Sequence, residues 1–255
     1  WLGWKCAQGR VLYVNLELDR ASCLHRFRDI YTALGWHPEH LDSIDIWNLR
    51  GKSIPMDKLA PKLIRRASKK NYIAIIIDPI YKIITGDENS ADQMAAFCNQ
   101  FDRVATELDA AVIYCHHHSK GSQGGKRSMD RASGSGVFAR DPDALIDMIE
   151  LDLTEAVEKQ EKNKEVCAAL TELLKNNVQG WQELVSQDDV LSRARMEEIC
   201  SARIADSGLL ERTIAAAERK AASRSAWRLE GTMREFPSFH PVNVWFDYPR
   251  HLPDE

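Results

Sequence analysis

Residues 72–77, Tyr-Ile-Ala-Ile-Ile-Ile, run straight into Asp78. A β-branched stretch with no polar alternation has no face it can offer to water, so it fits a central strand of a parallel sheet covered on both sides. Such a sheet needs crossover helices, and the flanking sequence supplies the pattern. Val11 to Leu18 (VLYVNLEL) reads as a strand, as do Ile44 to Leu49, Ala111 to Cys115 (AVIYC) and Ala144 to Leu151. Between the Tyr72 and Ala111 strands, Met94, Phe97, Phe101, Val104 and Leu108 recur every three or four residues, behind a Ser90–Gln93 capping box. Leu24, Phe27, Tyr31 and Leu34 mark another helix. Strand–helix–strand alternation at this spacing predicts right-handed crossovers and an α/β fold with a mostly parallel sheet.

The composition changes near residue 151. From Leu151 to Ser225 there is no proline, the only glycines are Gly180 and Gly208, and Glu, Lys, Arg and Ala are dense. Three or more helices are expected there. The strand pattern returns at Ala226 to Glu235 and Val242 to Tyr248, on either side of a Phe-Pro-Ser-Phe-His-Pro turn. This division predicts a sheet domain over 1–150, a helical insertion over 151–225 and a returning β-hairpin over 226–255 that completes the core.

With 255 residues, 44% hydrophobic and 28% charged, the chain can bury a core of ordinary size. Its net charge of -4 provides no global field for nucleic acid, so any such surface must be local. The apolar runs are too short to span a bilayer. No charged-then-apolar leader opens the chain, and the six cysteines are dispersed without a CxxC pair, which predicts reduced thiols and a cytoplasmic setting. The sequence opens in mid-flow on Trp1, which reads as part of a longer protein.

A few residues stand where chemistry is done in sheets of this kind. Asp78 ends the most apolar strand, at the carboxyl edge where open α/β sheets bind ligands. It reads as a Mg²⁺-associated acid or as a cap at the strand exit. Glu17 ends the first strand and reads as a general base for an attacking water or as a salt-bridge partner of Arg20 or Arg26. His116, His117 and His118 follow the Ala111 strand directly. Adjacent residues on an extended segment point opposite ways, so a shared metal is disfavoured and a polar strand end that feels a phosphate is favoured. The segment from Ser119 to Gly136 carries Lys120, Lys126, Arg127 and Arg131 among five glycines, a composition suited to a phosphate backbone or to plain solvated surface. No G-x-x-x-x-G-K-[ST] phosphate cradle occurs in the 255 residues.

VLYVNLELD, YIAIIIDPIYKI, AVIYCHHHSKG with the later RASGSGV, and RLEGTMREFPSFHPVNVWFDY occur in this order. Together they resemble the RecA-like P-loop ATPases, specifically the branch of RepA-type hexameric replicative helicases and mobile-element ATPases. The resemblance covers about Trp1 to Leu151 and resumes at Ala226, and the helical block has no counterpart in it. It implies a RecA-like twisted sheet flanked by helices, ATP and Mg²⁺ as ligands, and DNA and further copies of the chain as partners. Residue by residue, it implies that Glu17 activates water, that Asp78 holds Mg²⁺ through water, and that His117 senses the γ-phosphate, with His116 one place out of register. The Ser119–Gly136 segment would meet single-stranded DNA. Arg234 would reach the nucleotide of a neighbouring subunit, with Arg131 and Arg140 as competing choices. The phosphate loop itself would lie one strand and helix before Glu17.

Overall fold

The computed structural model describes residues 2–36, 42–117 and 136–254. The chain divides into two compact units, one comprising Trp1–Ile149 and Arg228–Asn243, the other Glu150–Trp227 and Val244–Asp254.

The first unit contains a four-stranded parallel sheet in the order β2-β1-β3-β4. Its strands are β1 (Arg10–Asn15), β2 (Ile44–Asn48), β3 (Tyr72–Asp78) and β4 (Ala111–Tyr114). β3 is paired on both sides, as its apolar composition requires, and Ile75 and Ile77 are fully buried. Three helices connect these strands: α1 (Arg20–Ala33), α2 (Met56–Ala67) and α3 (Ala91–Leu108). Leu12 and Val14 of β1 and Ile75 and Ile77 of β3 pack in one core with Leu59 and Leu63 of α2 and Met94, Phe97 and Phe101 of α3. Tyr13, which alternates with Leu12 and Val14, meets Phe27 of α1 edge-on, with ring centroids 5.3 Å apart. The short helix α4 (Val137–Arg140) buries Phe138 into the same core. A parallel sheet with helices on it is the α/β class expected.

Several elements differ in detail from the sequence expectation. β1 stops at Asn15 rather than Leu18, because the Asn15 side chain captures the backbone beyond it. The Ser90–Gln93 capping box does not form. Ser90 sits at the N-cap without a side-chain bond, while Gln93 Oε1 accepts from the Asp87 backbone N–H at 2.9 Å. Helix α2 has no counterpart in the sequence reading. Pro61 inside it removes one i to i−4 bond, yet Met56, Leu59, Ala60, Leu63 and Ala67 form a buried stripe that outweighs this cost.

After β5 (Ala144–Leu151) come α5 (Glu155–Asn177), α6 (Arg193–Arg203) and α7 (Ser207–Ala222), the three helices expected of this block. Thr154 caps α5 by accepting from the Val157 N–H, and Asp206 caps α7 by accepting from Leu209 at 2.9 Å. Val166, Leu170 and Leu174 pack with Met196, Cys200, Leu210 and Ala217 in a core of their own. β6 (Ser225–Met233), β7 (Val242–Asp247) and β8 (Arg250–Pro253) follow, and a second four-stranded sheet has the order β5-β6-β7-β8. In β6, Gly231 lies under the Phe239 ring, where a Cβ would come within 1.9 Å of a ring carbon. Trp4 meets the same ring edge-on, centroids 4.9 Å apart.

Candidate functional site

The carboxyl ends of β1, β3 and β4 converge, and the register explains how. Asn15 pairs with Asp78, and the ladder runs one residue further on each side, with the Leu16 N–H donating to the Asp78 carbonyl at 2.9 Å and Cys115 N–H to the Ile77 carbonyl at 3.0 Å. The three strand ends therefore stop level with one another.

Asn15 turns the chain there. Its Oδ1 accepts from the backbone N–H groups of Leu18 (2.9 Å) and Glu17 (3.3 Å), and its Nδ2 donates to the Leu18 carbonyl and to Asn48 Oδ1, both at 2.8 Å. Only 1% exposed, Asn15 closes a tight turn that lifts Glu17 off the strand and into solvent. Asp19 then starts α1, accepting from the Ser22 N–H at 3.0 Å. Glu17 is not paired with Arg20 or Arg26 by any described bond. Its Oε1 instead accepts from the Tyr81 hydroxyl at 2.9 Å.

Asp78 is half-buried, and its Oδ2 accepts from the Tyr13 hydroxyl at 2.5 Å. Burial, and then the hydrogen bond to Asp78, push the Tyr13 hydroxyl well above the usual phenol range, so Tyr13 stays a donor at any ordinary pH. Cys115 is exposed as a residue, but the crowding of its sulfur and the neighbouring Asp78 push the thiol up to about 12, so it too remains protonated. The Tyr13 hydroxyl thus holds the Asp78 side chain from the protein side.

His117 is exposed and its ring lies against Tyr81, centroids 5.4 Å apart. His116 points elsewhere, against Phe138 at 4.6 Å between centroids. Of the two histidines, the structure brings His117 to the Glu17 side. Tyr81 itself sits in a 3-10 turn, Ile80–Lys82, directly after Asp78 and Pro79.

Arg234 follows β6. Its backbone N–H donates to the Asp143 carbonyl at 2.8 Å, and its guanidinium binds Asp143 Oδ1 at 3.0 Å, the Arg140 carbonyl at 2.8 Å and the Asp141 carbonyl. Arg140 donates through Nε to the Gly136 carbonyl at 3.1 Å. Lys120, Lys126, Arg127 and Arg131 lie outside the described residues, as does His118.

A cleft of about 410 Å³ opens where α2 and α3 begin, lined by Met56, Asp57, Gln93, Phe97 and Gln100 among others, with none of the strand-end residues in its wall. Among the described residues, no cluster of three or more His, Cys, Asp or Glu is arranged to cage a metal. Sequence reasoning named Glu17, Asp78 and His117 as candidates but not Asn15, Tyr13 and Tyr81, whose side chains bond the turn at Glu17, Asp78 and Glu17 itself. A buried Asn at the end of an otherwise apolar strand was the available signal for the turn.

A family model described as an AAA domain matches residues 1–123, which carry Glu17, Asp78, His116 and His117. This part of the chain is therefore similar to a family of nucleotide-binding ATPases. No curated protein matches the chain.

Proposed function

We propose that the protein hydrolyses ATP with Mg²⁺ and couples the reaction to binding or movement on DNA, as a ring of identical subunits of the replicative-helicase kind. The observation that carries this reading is the convergence of Glu17, Asp78 and His117 at one carboxyl edge of a parallel sheet, where sheets of this kind bind ligands.

The chemistry assigns each residue a task. Hydrolysis requires a water in line with the γ-phosphate, and the exposed Glu17 would take the proton of that water as it attacks. Asp78 supplies a hard oxygen donor of the type Mg²⁺ takes. A single carboxylate fits an ion that usually completes its set with phosphate oxygens and water. When bound, Mg²⁺ offsets the charge on the β- and γ-phosphates. Tyr13 fixes the Asp78 carboxylate from behind. His117 would contact the γ-phosphate side. Lys120, Lys126, Arg127 and Arg131 would contact the DNA backbone, and Arg234 would stabilise the γ-phosphate of the neighbouring subunit. In its own chain the Arg234 guanidinium is already engaged by the segment from Arg140 to Asp143, so reaching a neighbour would mean exchanging those bonds.

One observation favours a second reading. The 255 residues contain no G-x-x-x-x-G-K-[ST] segment to grip the phosphates. On that reading the domain binds DNA or organises an assembly without turnover.

Glu17→Gln separates the two. In the intact protein, this variant should retain Mg-ATP binding by calorimetry while phosphate release falls about 10²-fold or more. Turnover within a few-fold of wild type would remove Glu17 from the mechanism. A wild-type protein without turnover would favour the second reading.

A further inference from the structure

We propose that Tyr81 is the positioning residue of Glu17, fixing the carboxylate in the orientation that activates water. The assignment rests on the ATPase reading of Glu17.

The two residues differ in how firmly the fold holds them. Glu17 is exposed on a turn, and a free glutamate there would sample many rotamers. Tyr81 stands on a turn pinned at both ends. Ile80 is fully buried and donates its N–H to the Cys115 carbonyl of the neighbouring strand end at 3.0 Å. Ile83, 1% exposed, donates back to the Ile80 carbonyl at 2.9 Å. With those side chains locked in the core, Tyr81 must face out along the carboxyl edge. Its ring is also in contact with two groups, the Lys82 ammonium 4.6 Å from the centroid and the His117 imidazole at 5.4 Å. The hydroxyl donates to Glu17 Oε1 at 2.9 Å.

A bond from a fixed donor to one carboxylate oxygen selects one rotamer and directs the other oxygen to a single place. Tyr81 does this from the turn that begins two residues after Asp78, so the base and the Mg²⁺-associated acid are set from the same piece of backbone. The ring contact adds His117 to the same unit. Two side chains from two strand ends, Glu17 and His117, are thereby positioned by one tyrosine. No proton needs to leave Tyr81, which acts as a donor throughout.

Tyr81→Phe keeps the ring, and with it the His117 and Lys82 contacts, and deletes only the hydroxyl. In the full-length protein, kcat should fall about tenfold while KM and Mg-ATP affinity stay within about twofold, the pattern of an interaction used in the transition state rather than in binding. Adding Tyr81→Phe to Glu17→Gln should cost nothing further in single-turnover phosphate release, because the hydroxyl acts only through the carboxylate. In the same protein labelled with carboxyl-¹³C glutamate, the Glu17 carboxylate resonance should move in Tyr81→Phe. An unchanged kcat beside an active wild type would overturn the assignment. So would an increased kcat, which would make Tyr81 a restraint on Glu17, a further tenfold loss in the double variant, or an unmoved resonance. A wild type without hydrolysis would overturn the ATPase reading and this assignment with it. That case is distinguishable, because the resonance would still report the bond.

Discussion

Asp45 gathers three donors at the amino ends of the strands, opposite the edge that carries Glu17. Arg10 Nε of β1 lies 2.9 Å from Oδ2, the Tyr72 hydroxyl of β3 2.6 Å from the same oxygen, and Lys70 Nζ 3.0 Å from Oδ1. Burial opposes the charge on Asp45, but these hydrogen bonds outweigh it and hold the carboxyl down to about 2. The folded-state value lies below that of the unfolded chain, so the stabilisation is complete above about pH 5 and is lost as pH falls towards 2. Asp45→Asn should therefore lower stability by about 1–2 kcal/mol at pH 7. Urea unfolding of the two proteins should show this gap closing between about pH 4 and pH 2. A gap that is constant with pH would mean the loss comes from packing and not from the charge.

At the scale of elements, the helical unit is fastened by one arginine. Arg224, just beyond α7, has a side chain only 11% exposed and lies 2.6 Å from Glu165 and 3.7 Å from Glu161 of α5, and 2.9 Å from Asp247 of β7. Lys220 shares Glu165. Arg224→Ala would leave carboxylates in a poorly solvated place without their main counter-charge, a loss of about 3–5 kcal/mol. Thermal or urea unfolding would register it, and a loss below about 1 kcal/mol would show that water reaches the cluster. No periodicity announces this network, since it joins residues 161 and 247 through chain closure. What the sequence does announce is local. β3 and α3 could be read because their composition and spacing have one structural meaning. Helix α2 was hidden by Pro55 and Pro61, which suggest a break where a five-residue apolar stripe decides for helix. The end of β1 was misplaced because alternation continues through Leu16 and Leu18, while the Asn15 side chain, a tertiary feature, ends the strand.

At the scale of the whole molecule, the proposed ring would have one copy finish the site of the next. Glu17, Asp78 and His117 were legible as polar residues at the ends of apolar strands, whereas the groups that hold them were not. Tyr13 and Tyr81 act across about 65 positions of sequence and look like ordinary strand and turn residues. Arg234 was legible as a cation leaving a strand, but its bonds to the segment from Arg140 to Asp143 depend on folding. A mixing experiment tests its role directly. Arg234→Ala and Glu17→Gln subunits, each inactive alone, should regain up to about a quarter of wild-type turnover when randomly mixed, because that share of interfaces pairs an intact Glu17 with an intact Arg234. No recovery in verified mixed oligomers would return Arg234 to its in-chain partners.

The flat seat that Gly231 offers to Phe239 bears on how sequences with this fold can drift. Any side chain at 231 would occupy space already filled by the ring, and Trp4 leans on that ring in turn. Position 231 is thus closed to neutral change, and Phe239 can vary only alongside it. A residue without a side chain constrains what two aromatic positions, 4 and 239, are allowed to become.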